Sequence, residues 1–221
     1  MGSDYAERLM PQVAWLEFGL RGPDPDRRPM SIPRAYALAQ DADLVSWSAD
    51  GDRRAFDQIV ERHGPLALRV ALRVIPNASA AEDVVQEAML RAWAQAHHFD
   101  PQRARFTTWL YRIVVNLCID HRRRAQPLHL PDDFEPPDGT AAADDVLAAH
   151  ERHAALASAL QGLPARQRAA MALVYDEGLS GAEAARILGL SAKAVERLLA
   201  RARATLRERL QPEHERVEKR R

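Results

Sequence analysis

The sequence predicts an all-α protein built from two small helical domains joined by a flexible, acidic, proline-rich linker. Apolar residues recur at helical spacing in two long blocks, and neither block shows a strand signal. Capping boxes of the form Ser-x-x-Glu, at Ser79–Glu82 and Ser180–Glu183, precede two of the apolar segments. Residues 125–146, between the blocks, contain four prolines and no periodicity, which indicates a linker.

The domain boundaries follow from this pattern. Residues 1–35 are predicted to be a mobile N-terminal extension, because "RGPDPDRRP" interrupts any regular structure. The first domain is expected over 36–124 and the linker over 125–146. The second domain is expected over 147–211, followed by a short charged tail at 212–221.

The helices of the first domain can be predicted in order. An Asp cap opens "DGDRRAFDQIVERHG", and Pro65 is expected to begin a separate helix that Pro76 and Asn77 stop. The first capping box opens the next helix, "AEDVVQEAMLRAW". Thr107 or Thr108 is expected to cap the last one, "WLYRIVVNLCIDHRRR".

The second domain carries the spacing of a helix-turn-helix. Gly178 is a predicted left-handed C-cap, and Ala185-x₃-Gly189-x₅-Val195 places a small residue, a turn glycine and an apolar residue in the order this motif uses. The N-terminal part of the second helix would then lie at base edges in the DNA major groove. The alternative is an ordinary helical hairpin with a solvated basic face. The candidate residues are Ser191, Lys193, Ala194 and Arg197 for bases, with Arg201 and Arg203 for phosphates.

Composition narrows the class of protein. The formal net charge is +0, so a nucleic-acid function must depend on local charge, and residues 103–124 hold six arginines against one acid. Cys118 is the only cysteine, which excludes an intrachain disulfide and a Cys₄ zinc site. No apolar run is long enough to span a bilayer, and the first 20 residues do not resemble a signal peptide. A cytoplasmic location is expected.

The helix "WLYRIVVNLCIDHRRR" has two different stripes. Leu110, Ile113, Val114 and Leu117 form an apolar one. A polar stripe, spaced i, i+4, i+8 and i+11, could read bases through its amide and guanidinium groups. The alternative is a solvated face in which Asp120 pairs with an arginine, Arg123 or Arg124. The polar stripe consists of Arg112, Asn116, Asp120 and Arg123, and Arg105, Arg122 and Arg124 add positive charge nearby.

The preceding helix has a charged side. Such a face is usually just exposed to solvent, but it could also dock on a basic partner. Its residues are Glu82, Asp83, Gln86, Glu87 and Arg91.

Taken together, "AEDVVQEAMLRAW", "FTTWLYRIVVNLCIDHRRR" and "LPARQRAAMALVYDEGLSGAEAARILGLSAKAVERLLARARATLRERL" resemble the extracytoplasmic-function (ECF) sigma factors, the two-domain members of the sigma-70 family. The resemblance covers roughly residues 41–210. It implies a protein that binds core RNA polymerase and directs promoter-specific transcription initiation. The first domain would correspond to sigma region 2, and the second would correspond to sigma region 4.

The resemblance also implies roles for the faces described above. The charged helix would dock on the β′ clamp helices, and region 4 would meet the β flap. The loop "HHFDPQRARF" and the face bearing Asn116 would open and read the minus-ten element, and helix 192–207 would read the minus-thirty-five element. The acidic linker would thread toward the RNA exit channel. An anti-sigma factor is expected as a further partner.

Two features depart from the family pattern, and two other classes compete with it. The core of the family does not need residues 1–35, for which a start at Met30 is an alternative, and Glu196 in the reading helix would repel phosphates. A stand-alone helix-turn-helix regulator is the main rival, but it gives no role to residues 82–124. An enzyme is not expected, because no catalytic, metal-binding or cofactor-binding pattern is evident.

Overall fold

The computed structural model describes residues 35–125 and 154–210, and these residues form helices and connecting turns without any strand. The predicted all-α class is therefore confirmed. The N-terminal extension, most of the predicted linker and the C-terminal tail lie outside the described residues.

Four helices form the first bundle: α1 (Asp41–Ala49), α2 (Arg53–Val74), α3 (Ala78–Ala94) and α4 (Phe106–Ala125). Helix α2 lies at the centre and packs against the other three. Its buried stripe runs from Ala55 to Val74, so one continuous apolar face organises the bundle.

The second bundle begins with helical residues 154–161, here α5, and continues with α6 (Ala165–Met171), α7 (Gly181–Leu188) and α8 (Ala192–Leu210). A π-helical turn, Ala172–Asp176, follows α6 directly. Helix α8 packs against both α6 and α7. Its contact with the first helix of the bundle is reinforced by Arg209, which donates to the carbonyl of Ala159 over 3.2 Å.

The prediction that Pro65 begins a new helix was wrong, because α2 continues through Pro65 without a break. A proline inside a helix removes one backbone hydrogen bond and costs about 3 kcal/mol. The two halves of α2 nevertheless bury one shared stripe, with Ile59, Val60, Val70 and Val74 at 1% exposure or less. Packing of that stripe outweighs the local preference of proline.

Two predicted helix starts were also wrong. Asn77 caps α3, since its side chain accepts from the backbone N–H of Ala80 over 2.8 Å, and Ser79 lies inside the first turn. Helix α4 begins at Phe106, so Thr107 and Thr108 are helical residues instead of caps. The predicted Asp cap is confirmed at Asp52, whose side chain accepts from the N–H of Ala55.

The two bundles are in contact. Helix α4 packs along α7, and α2 and α4 both contact α6. Buried residues of both bundles belong to one continuous apolar cluster, which includes Leu110 and Val115 from the first and Leu173 and Ile187 from the second. This contact region is called the seam below.

Candidate nucleic-acid interface

The polar stripe of α4 is on the surface, as its spacing predicts. Arg112, Asn116 and Arg123 are exposed and Asp120 is partly exposed, whereas Leu110 and Val114 on the other side are completely buried. At about 100° per residue, the four polar positions fall within one narrow sector of the helix. The burial of the opposite side fixes the direction in which this sector points.

Asp120 forms an ion pair with Arg123, with 3.2 Å between Oδ1 and Nη2. This is one of the two ion pairs that the sequence leaves open. The pair is largely exposed, so its contribution to stability is small. The pair holds the guanidinium group of Arg123 within the stripe. It also neutralises Asp120, the only carboxylate of the stripe.

The neighbouring arginines do not form one group. Arg124 is exposed at the end of α4, and Arg105 is exposed just before its start. Arg122 instead turns toward the seam, where it donates to the carbonyl of Val74 over 3.5 Å. Arg105 is close enough to Glu183 of α7 for its charge to help lower the pKa of that carboxyl, although hydrogen bonds from Ser180 are the larger cause.

Aromatic side chains lie beside the stripe, and the sequence-based reasoning missed them. The rings of Phe99, Phe106 and Trp109 contact one another, with centroids 5.6–5.7 Å apart. Trp109 is partly exposed and precedes Asn116 by seven residues, which places it on the same side of α4. The helical spacing from Asn116 is the signal that could have identified it.

The charged side of α3 is also accessible. Asp83 and Arg91 are exposed, and Glu82, Gln86 and Glu87 are partly exposed, while Ala81, Val85, Ala88 and Met89 fill the opposite side. Arg91 donates to Glu87 over 2.7 Å, an i,i+4 ion pair on the surface. The side as a whole remains acidic, because three carboxylates stand against one guanidinium.

Helices α7 and α8 form a helix-turn-helix. The predicted capping box is present: Ser180 Oγ accepts from the N–H of Glu183 over 3.2 Å, and the Glu183 carboxylate accepts from the N–H of Ser180 over 2.9 Å. Gly189 ends α7 with φ of 64°, a left-handed conformation that favours glycine. Ala185 and Val195 are buried where the two helices meet.

The exposed basic residues of α8 lie on two different sides of the helix. Lys193, Arg197 and Arg201 recur at i, i+4 and i+8 and are all exposed, so they form one row. Arg203 lies on another side of the helix, where it donates to the carbonyl of Leu199 over 3.3 Å. Ser191 is exposed and caps the helix by accepting from the N–H of Ala194, which is itself only partly exposed.

Three further features were sought in the described residues: a membrane-spanning helix, a metal site and a reactive thiol. No helix within 35–125 or 154–210 is long and apolar enough to cross a membrane. The same residues contain no group of three or more His, Cys, Asp or Glu side chains able to hold a metal ion. Cys118 is buried, and this burial raises the pKa of its thiol to about 12, so it is a poor nucleophile at neutral pH.

Comparison with known families identifies both bundles. Sigma-70 region 2 matches residues 59–127, and sigma-70 region 4 matches residues 153–206. The chain therefore belongs to the sigma-70 family. Within that family it is an ECF RNA polymerase sigma factor, because similar proteins of this type align over most of its length.

Two relatives and two solved structures illustrate the similarity. SigM of Mycobacterium tuberculosis, an ECF RNA polymerase sigma factor, is 38% identical over 169 residues, or 75% of this chain and 82% of SigM. CnrH of Cupriavidus metallidurans is 40% identical over 181 residues, covering 76% of this chain and 93% of CnrH. The structure of CnrH in complex with the cytosolic domain of CnrY matches with a TM-score of 0.55 and 36% identity, over 75% of this chain and 94% of CnrH.

The sigma factor RpoE of Bartonella quintana, solved in complex with the anti-sigma factor NepR, also has a TM-score of 0.55, at 25% identity, covering 70% of this chain and 96% of RpoE.

Proposed function

We propose that this sigma factor binds core RNA polymerase through the charged side of α3 and reads two promoter elements through separate faces. The polar stripe of α4 would read the minus-ten element, and the exposed row on α8 would read the minus-thirty-five element. One observation supports this assignment above all: each matched region presents an exposed polar face on a helix whose other side is buried.

The α4 face suits bases that have left the double helix. Asn116 offers a paired donor and acceptor, which a base can use once its hydrogen-bonding edge is free. Trp109, on the same side of α4, offers an aromatic surface on which an unstacked base can stack, and such stacking contributes about 1–3 kcal/mol per base. Arg112, and Arg123 held by Asp120, supply charge for phosphates.

The α8 face suits duplex DNA. Lys193 and Arg197 lie in the first two turns of the second helix of the helix-turn-helix, the part that enters the major groove in this motif. Arg201, one turn further along the same row, is placed for a phosphate. Arg203, whose guanidinium group folds back onto α8, is the weakest of the predicted contacts.

The accessible acidic side of α3 suits a basic protein surface, and the β′ clamp helices are the proposed partner. The β flap is proposed for region 4. An anti-sigma factor is proposed as a regulator, because RpoE of Bartonella quintana was solved in complex with one. The protein is proposed to act in the cytoplasm as a binding protein and not as an enzyme.

In vitro transcription with core RNA polymerase tests the proposal. A library of promoter fragments is transcribed by core enzyme with and without the protein, and the expected result is a set of transcripts that depend on both. The rival, a stand-alone helix-turn-helix regulator, predicts tight binding to duplex DNA without polymerase and no new transcripts. That second pattern would refute the proposed function.

A further inference from the structure

A short segment at the start of the first bundle, residues 36–41, is bound by one arginine of α2 and is called the N-terminal turn below. The guanidinium group of Arg62 donates to Asp41 Oδ1 over 3.1 Å. It also donates to three backbone carbonyl oxygens of the turn over 2.8–3.0 Å, those of Tyr36, Ala37 and Ala39. One side chain therefore holds the whole N-terminal turn against α2.

The other oxygen of the same carboxylate binds a buried histidine. Asp41 Oδ2 lies 2.9 Å from Nε2 of His63, a residue that is 7% exposed. Because an ionised carboxylate only accepts hydrogen bonds, the ring nitrogen that faces it carries a proton. The other ring nitrogen, Nδ1, is buried and has no hydrogen-bond partner among the described residues. The hydrogen bond that orients the imidazole ring is therefore the one to Asp41.

The His63 ring contacts the aromatic cluster that lies beside the polar stripe of α4. Its centroid is 5.1 Å from that of Phe106, the first residue of α4. Phe106 in turn contacts Phe99 and Trp109, with centroids 5.7 Å apart in both cases. Phe106 is 4% exposed and Trp109 is partly exposed, so the cluster leads from a buried ring to an accessible one.

Packing alone does not account for a histidine at this position. An apolar side chain could fill the space beside Phe106 without leaving a buried nitrogen unpaired, and an unpaired buried polar atom costs free energy. What the imidazole adds is a directed hydrogen bond to Asp41, which fixes the plane of the ring. A ring held in one plane restricts the ring packed against it, since aromatic pairs prefer particular relative orientations.

We propose that His63 is a positioning residue for the minus-ten face. Asp41, which Arg62 holds, fixes the plane of the His63 ring. That ring orients Phe106, and Phe106 orients Trp109, the side chain on which an unstacked base would stack.

The N-terminal turn is thereby part of the unit that reads the minus-ten element, although it precedes residues 59–127, the part matched by sigma-70 region 2. This role rests on the proposed promoter function. The orientation of Trp109, in contrast, can be tested without DNA.

Fluorine NMR of the full chain tests that orientation. The protein is labelled with 5-fluorotryptophan, and the signal of Trp109 is assigned among the four tryptophans by its loss in Trp109→Phe. Asp41→Ala removes the acceptor of the imidazole, and His63→Gln removes the ring but keeps a donor for Asp41. Both are expected to shift or broaden the Trp109 signal. Asp43→Ala removes the other carboxylate of the first turn of α1 and is the matched control, with no change expected.

Circular dichroism shows whether each variant is folded. If His63→Gln loses helical signal, Asp41→Ala decides the question, because the Asp41 side chain is 31% exposed and its removal leaves the buried rings in place. An unchanged Trp109 signal in the folded Asp41→Ala protein would overturn the proposal. An equal shift in Asp43→Ala would do the same, since the effect would then not come from the contact with His63.

DNA binding by the reconstituted holoenzyme tests the functional part. One probe is a single-stranded oligonucleotide with the non-template minus-ten element of a promoter selected by transcription, and the other is a duplex with only its minus-thirty-five element. Asp41→Ala is expected to weaken binding of the single strand on the order of threefold to tenfold, because stacking on a misoriented ring is lost in part. Binding of the duplex should not change. Equal effects on both probes, or none on the single strand, would contradict a positioning role.

A double-variant cycle separates positioning from a general loss of stability. In a Trp109→Ala protein the ring that is positioned is absent, so adding Asp41→Ala should weaken binding of the single strand little further. Additive losses would show that Asp41 does not act through Trp109 and would overturn the proposal. If the protein directs no transcription, the proposed function fails and the positioning role fails with it, whereas the fluorine signals still show whether Asp41 orients Trp109.

Discussion

Asn116 is exposed on a helix whose other side is buried, so its amide can be removed without creating a cavity. Asn116→Ala is therefore expected to change the free energy of unfolding by less than about 0.5 kcal/mol, as is usual for surface substitutions. It should weaken open-complex formation and alter base preference within the minus-ten element. Thermal unfolding and promoter opening by the reconstituted holoenzyme measure the two effects.

Gln95→Ala removes a comparable exposed amide at the end of α3 and is the control for this experiment. It should leave both measurements unchanged. An Asn116→Ala protein that is destabilised, yet transcribes normally once folded, would make Asn116 a structural residue.

Lys193 and Arg197 can be assigned separately to bases or phosphates. If either residue reads a base, its replacement by alanine should cost about 1–3 kcal/mol in binding and relax specificity at one position of the minus-thirty-five element. Binding of holoenzyme to a set of single-base variants measures both. Arg54→Ala, at an exposed arginine of α2 outside the α4 and α8 faces, is the control and should leave binding unchanged. A uniform loss of affinity across all sequences would identify a phosphate contact.

At the scale of single residues, prediction from the sequence succeeds where helical geometry alone decides the outcome. The exposed stripe and the pairing of Asp120 with an arginine follow from spacing along α4. The direction of Arg122 does not, because it depends on the carbonyl of Val74, which another helix supplies. Arg122 was expected at the promoter face and lies at the seam.

At the scale of helices, the start of α3 offers a direct test of which residue is the cap. Asn77→Ala should destabilise the protein by about 1 kcal/mol, because it removes the acceptor for the N–H of Ala80. Ser79→Ala should have little effect, since Ser79 lies within the first turn and alanine is a better helix former. Chemical denaturation of the two variants compares them. If Ser79→Ala were the more destabilising of the two variants, Ser79 would be the cap, as the sequence predicts.

The charged side of α3 can be tested without disturbing its buried side. Asp83→Lys combined with Glu87→Lys reverses two accessible charges, so the helical signal should be retained while co-elution with core polymerase is lost. Asp43→Lys combined with Asp50→Lys, on and just after α1, matches the change in net charge and should leave co-elution intact. Equal co-elution of the two double variants would remove this side of α3 from the polymerase interface.

The helix boundaries show where cap and proline preferences predict a helix end correctly and where they do not. Ser180, Asp52 and Gly189 cap helices as their residue types predict, because each cap involves only neighbours in the chain. Pro65 was expected to separate two helices, and it does not, because both halves of α2 share one core. A local preference of about 3 kcal/mol is outweighed by the burial of several Val and Ile side chains.

At the scale of the whole molecule, the seam was not predictable from the pattern of apolar residues. Tyr111, Val115 and Cys118 are buried together with Leu110, so the buried side of α4 is wider than the apolar stripe predicted from its spacing. Other helices of the same domain could bury all of these residues. The sequence therefore does not indicate which of them contact a second domain. The ion pair across the seam, between Arg69 of α2 and Glu177, joins residues that are 108 positions apart in the sequence.

The seam should make unfolding cooperative in a pH-dependent way. The pKa of Glu177 in the folded protein is lower than its ordinary value of 4.5. The ionised Glu177 therefore stabilises the folded protein fully above pH 4.5, and this stabilisation is lost as the pH falls through the lowered pKa. Because region 2 and region 4 share one apolar cluster, calorimetry at neutral pH should show a single transition. As the pH falls below the ordinary carboxyl range, the transition should split into two. Glu177→Gln should show the split already at neutral pH, because glutamine cannot supply the charge that Arg69 binds. A single transition for this variant at neutral pH would show that apolar packing alone couples the two regions.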